Sequence, residues 1–169
     1  MPQVLERKQL EDLQTALREV QELLARHRLV ESLVDRQSAP SPNGDRDDDD
    51  RKAVVQDLVH RQHLAELRAR LDALHSADVA YILEALPFDE RLAIWELVKQ
   101  ERDGEILLEV SDAVRESLIR SMDSEELVAA AEGLDTDQLA DLAADLPDDV
   151  IQDVFQALPI EEQIGRAHV

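Results

Sequence analysis

Apolar residues recur three and four apart near the start of the chain: Leu10, Leu13, Leu17, Val20 and Leu24 form one stripe, and Glu6, Lys8, Glu11, Arg18 and Glu19 lie largely off it. This period predicts a long helix over residues 4–37. The run is short for a coiled-coil seam, so packing against the rest of the domain is the simpler expectation. Pro40, Pro42 and Gly44 then break the pattern, and Asp47 to Asp50 form a run of like charges. A flexible, exposed acidic linker is expected over residues 38–51. Helix is expected to resume near Lys52, with Leu64, Leu67, Leu71 and Leu74 again three and four apart. The stretch from Val30 to Gln37 resembles that from Val55 to Gln62, as if two short helices shared a docking surface.

From His75 the pattern changes to a 12-residue unit, with starts at His75, Pro87, Lys99, Ser111, Asp123, Asp135 and Pro147. The eighth positions are Ile82, Ile94, Ile106, Leu118, Ala130, Leu142 and Val154, and the ninth are Leu83, Trp95, Leu107, Ile119, Ala131, Ala143 and Phe155. The twelfth positions, Leu86 through Leu158, are apolar as well. Twelve residues fit one helix of about two turns and a tight connection. Asp123 with Glu126, and Asp135 with Gln138, have the spacing of capping boxes. Pro87, Pro147 and Pro159 suit a first helical position, where the missing N–H costs nothing. Helices this short cannot each close a core, so they are expected to stack in series on a shared apolar spine. The fold class that follows is all-α: a right- or left-handed superhelix of short repeats over residues 52–163, preceded by longer N-terminal helices.

Composition supports the helical reading. Apolar residues make up 44% of the chain and aromatics 2%, so the core must be Leu, Val, Ile and Ala. The net charge of −21 works against nucleic acid and anionic lipid as partners. There is no cysteine, which removes disulfides and thiolate metal sites. No stretch of 18 apolar residues exists, so no membrane span is expected here, and residues 1–6 do not read as a secretory signal.

No phosphate loop, nucleophile elbow or zinc-protease motif is present, and an enzyme is not expected. His60 and His63 are three apart, with Asp57 and Glu66 nearby. The spacing would allow zinc, but solvated histidines on a charged face are the expectation. His75 is assigned no role. Asp45, Asp47 and Asp49 have the opening spacing of a calcium loop, yet Asp50 and Gln56 stand where that loop needs Gly and Glu, so a solvated acidic linker is expected instead. Asp137 and Asp141 are four apart and share a helix face, and Glu105 lies in an earlier unit. Oxygen ligands of this kind favour Mg2+ or Ca2+ over zinc, against the alternative of a solvated face.

Two stretches carry a family resemblance: Leu74 to Pro87 (LHSADVAYILEALP) and Leu134 to Pro147 (LDTDQLADLAADLP). With their repeated Leu-Pro boundaries they resemble the N-terminal cytosolic domain of MgtE magnesium transporters, over about residues 75–163. Ser76 stands where that family usually has Pro. The resemblance implies a homodimer whose chains each join this domain to a pair of CBS domains, a connecting helix and a transmembrane pore. It places the domain on the cytoplasmic side of the bacterial inner membrane. Mg2+ between cytosolic domains would hold the assembly compact and the pore shut. The family's acids at the CBS border fall on Glu105, Asp137 and Asp141 here, with the remaining ligands outside this chain and Mg2+ binding by this chain alone correspondingly weak. Flagellar motor switch proteins carry a similar stack of short helices, so a protein-interaction scaffold is the alternative function. Residues 164–169 break the repeat and read as a non-native tail, and the natural protein is expected to continue after about Gln163.

Overall fold

A computed structural model describes residues 2–37 and 46–157, all of whose regular structure is helical. The chain divides into two compact units, Met1–Ala73 and Leu74–Val169.

The first unit is a hairpin of two long helices, α1 (Pro2–Gln37) and α2 (Arg46–Asp72), packed on each other. They run antiparallel, since Glu19 pairs with Arg70 while His27 meets His60. The buried seam is short: Ala16, Val20 and Leu24 from α1 against Leu67 and Leu71 from α2. Leu10, the first residue of the predicted stripe, is 52% exposed and does not join it. Helix α2 begins at Arg46 rather than near Lys52. The acid run explains the difference. Asp47, Asp48 and Asp49 occupy the first turn, where unpaired N–H groups and the positive end of the helix dipole favour carboxylates. The same placement makes Asp47 and Asp49 helical instead of part of a cation-binding loop; residues 38–45 lie outside the described residues. The duplicated stretches are parts of these long helices and not two short ones. Leu33 of the first copy, with Val55, Leu58 and Val59 of the second, is exposed.

The second unit follows the 12-residue period closely. After α3 (Ser76–Ala85) and α4 (Phe88–Leu97) come a 3-10 turn (Gln100–Arg102) and α5 (Asp103–Glu109). They are followed by α6 (Asp112–Ser121), α7 (Ser124–Glu132), α8 (Thr136–Ala143) and α9 (Asp148–Ala157). Six of the seven predicted unit starts, His75 through Asp135, are the N-cap residues of these elements. Both predicted capping boxes form: Asp123 Oδ1 accepts from Glu126 N at 2.8 Å, and Asp135 Oδ1 accepts from Gln138 N at 2.8 Å. In each, the partner side chain accepts from the cap's own N–H. Pro87 sits one residue earlier than expected, at the N-cap, where its carbonyl accepts from Arg91 N at 2.8 Å.

The eighth-position column is buried in all seven units, from Ile82 to Val154. It is the spine of the core, because α3 packs on α5, α4 on α6, α5 on α7 and α8, and α7 on α9. The ninth column is buried only as far as Ala131; Ala143 is half-buried and Phe155 is 40% exposed. Where α5 meets α7 the backbones approach closely. A Cβ on Gly104 would collide with the Ala130 carbonyl oxygen and lie 3.0 Å from Leu134 Cδ2.

Candidate functional site

The fifth position of the 12-residue unit points inward, and there the pattern turns polar. Val79, Leu127 and Leu139 are buried, but Arg91, Asp103 and Arg115 occupy the same column. Each arginine caps the end of the preceding helix. Arg91 Nε donates to the Leu83 carbonyl at 2.7 Å and Nη2 to that of Leu86 at 3.0 Å. Arg115 donates to the carbonyls of Leu107 (2.7 Å) and Leu108 (3.3 Å) and to Asp145 Oδ2 (3.1 Å). These bonds satisfy carbonyls that a two-turn helix leaves open at its end.

Asp103 has no such partner. It is 7% exposed and its Oδ1 is buried without a hydrogen bond. Burial, with the nearby Glu126 carboxylate adding to it, pushes its pKa up to about 7. The two acids line a cleft of about 330 Å3 with Trp95, Glu96 and Gln100. This buried acid was not singled out in the sequence. The signal available was an acid in a column whose other members are apolar residues or arginines.

The three carboxylates expected to face Mg2+ are all exposed. Glu105 lies in the first turn of α5, and its Oε2 accepts from Ser76 Oγ at 3.0 Å. Asp137 is in the first turn of α8, with Asp141 one turn on. Helices α5 and α8 pack together, which places the three acids on neighbouring elements. They do not converge. Among the described residues, the one set of three or more His, Asp or Glu side chains whose ligand atoms all lie within 4.8 Å of one another is elsewhere, at His27, Glu31 and His60.

That set belongs to the hairpin unit. His27 Nε2 lies 3.2 Å from Glu31 Oε1, and the rings of His27 and His60 have centroids 4.3 Å apart. Burial lowers the pKa of His27, with His60 and His63 contributing and Glu31 opposing. His60 and His63 are therefore not the solvated histidines expected from the sequence. Both are half-buried, and His63 Nδ1 is fully buried without a partner. The reason is register: their helix face is the one that meets α1. Asp57 instead pairs with Arg61 at 2.9 Å on the exposed face, and His75 is an exposed N-cap without a side-chain cap bond.

A family model described as the MgtE intracellular N domain matches residues 74–164, more than half of the chain. The chain belongs to the MgtE family. Its second unit is the N-terminal intracellular domain of an MgtE magnesium transporter, a transporter domain rather than one of an enzyme family. The matched span begins where the hairpin unit ends, so MgtE membership is carried by α3 to α9 and the histidine cluster lies outside it. No curated protein matches the chain. Among the described residues no helix is long and apolar enough to cross a membrane.

Proposed function

We propose that the MgtE domain of this chain is a magnesium-sensing arm that gates the transporter. On this reading Glu105, Asp137 and Asp141 offer oxygens to Mg2+ at a border with CBS domains of the same full-length chain, within a homodimer at the cytoplasmic side of the membrane. The observation that carries the proposal is the family match over residues 74–164. Exposed carboxylates on the packed helices α5 and α8 support it. Mg2+ keeps several of its waters and takes one or two carboxylates from any one surface, so acids that do not converge suit a site completed by a second domain. The net charge of −21 supplies the response: with Mg2+ removed, facing acids repel and the domains part.

The test has two arms. Mg2+ titrated into this chain alone should bind weakly, with a Kd on the order of millimolar. In the full-length transporter, Asp137→Ala with Asp141→Ala should preserve helicity and make the pore less sensitive to closure by Mg2+. Unchanged gating removes these residues from the site, and sub-micromolar binding by the isolated chain contradicts a site completed elsewhere.

A protein-interaction scaffold is the second reading. It draws on an apolar groove of about 400 Å3 between α8 and α9, lined by Leu139, Ala143, Leu146, Ile151, Val154 and Phe155. It predicts binding of an apolar partner segment and no effect of Mg2+.

A further inference from the structure

We infer that the hairpin unit carries a transition-metal site of the Zn2+ class, built from His27 and Glu31 on α1 and His60 on α2, with His63 or water as the fourth ligand. The inference rests on the hairpin alone and does not depend on the magnesium reading.

Three observations carry it. The first is geometry. His27 and Glu31 are one turn apart on α1, and His60 and His63 nearly one turn apart on α2, so each helix presents a pair. Facing pairs on packed helices are how bundles build metal sites. Tetrahedral Zn2+ with bonds of about 2.0–2.1 Å holds its ligands about 3.3 Å apart. His27 Nε2 and Glu31 Oε1 already stand at 3.2 Å, and the ligand atoms of all three residues fall within 4.8 Å. Side-chain rotation of about 1–2 Å closes the remaining gap.

The second is unmet valence. His27 Nδ1 and His63 Nδ1 are both buried without a hydrogen-bond partner. Buried polar atoms are rarely left so. A metal held by His27 Nε2 would leave His27 Nδ1 as it is, but His63 Nδ1 is open to serve as the fourth ligand. Imidazole nitrogens beside a single carboxylate select Zn2+ and its neighbours over Mg2+, which prefers oxygen.

The third is where the cluster sits. The apolar seam of the hairpin ends at Leu24 and Leu67, and the histidines come next along it. Beyond them, towards the connection between the helices, no described residue of 28–37 or 46–59 is buried. A metal here ties the helices together where apolar packing stops.

The experiment uses the whole chain with Zn2+ as probe, followed by calorimetry and by hydrogen exchange. One Zn2+ per chain should bind with a Kd below ~10 μM. Binding should slow amide exchange in residues 28–36 and 46–57. His27→Ala and His60→Ala should each weaken binding at least ~10-fold, Glu31→Gln should weaken it less, and His75→Ala should leave it unchanged. Glu31 is largely exposed, so its variant keeps the test open even if a histidine variant loses the hairpin. A hundredfold excess of Mg2+ should not compete. Binding weaker than ~10 μM, equal binding by the His27→Ala/His60→Ala double variant, or binding without protection of the two segments would each overturn the inference.

Discussion

Replacing Asp103 by Asn tests whether a buried, unpartnered acid limits the stability of the MgtE domain. The folded carboxyl titrates near 7 against an ordinary value of 3.8. Between those values the folded state holds more protons than the unfolded one, so stability falls as pH rises through this window and levels off above it. At 1.36 kcal/mol per unit the full difference is at most ~4 kcal/mol. Asp103 is 7% exposed but borders an open cleft, and water there screens part of the cost. Between pH 5.5 and 8 the advantage of Asp103→Asn over the parent chain should therefore grow by about 1–2 kcal/mol. Urea unfolding read by fluorescence suits the measurement, because the single tryptophan, Trp95, lines the same cleft and reports on this unit. Glu126→Gln should give a smaller shift of the same sign, since Gln can still accept the cap N–H while removing the like charge. An advantage equal at both pH values, or a loss of stability at pH 8, would refute the assignment and point to a partner for Asp103 that keeps it ionised.

Two further predictions concern the stack itself. Gly104→Ala should cost about 1–3 kcal/mol in thermal unfolding despite Ala's better helix propensity, because the new Cβ meets the Ala130 backbone carbonyl, which cannot swing aside; a neutral or stabilising result would mean that α5 and α7 can separate at no cost. Arg115→Met should lose about 2–3 kcal/mol by urea unfolding, since the part-buried carbonyls of Leu107 and Leu108 lose their donor, and Arg115→Lys should recover only part of it; full recovery by Lys would show that charge alone, without the forked geometry, is what matters.

The starts of the short helices were legible because their information is local. A 12-residue period in apolar positions, and cap residues such as Asp123 and Asp135 at its start, state where each helix begins without any knowledge of its neighbours. The hairpin was legible only in outline. The period called for helices but did not say that Asp47 to Asp49 would fall in the first turn of α2, since the same acid run reads as repulsion in a coil and as favourable charge at a helix N-terminus. The histidine cluster was half visible. His60 and His63 share a helix face by spacing, but His27 lies 33 positions before His60, and only the antiparallel register brings them together.

The exceptions in the fifth column show how period and function are related in this domain. An inward column that reads Val79, Arg91, Asp103, Arg115, Leu127 breaks its own rule three times in succession. Arg91 and Arg115 break it at little cost, because the preceding helix ends in open carbonyls within reach of a guanidinium. Asp103, placed between them, has nothing comparable: an acid cannot accept from a carbonyl, and the charge that acts on it is another acid, Glu126. A fold that stacked only for stability would put a leucine there, as it does at Leu127 and Leu139. The element opened by Asp103 is also irregular. A 3-10 turn precedes it, Gly104 follows, and Glu105 comes directly after. The departure that has no compensating bond thus falls on the helix that carries Glu105. If Glu105 serves the proposed magnesium site, Asp103→Asn, by relieving the buried charge two residues before it, should stiffen this helix, and Mg2+-dependent closure measured in the full-length protein should shift while Asp137 and Asp141 stay in place. Closure with unchanged Mg2+ dependence would separate the buried acid from the sensing surface and leave it a matter of stability alone.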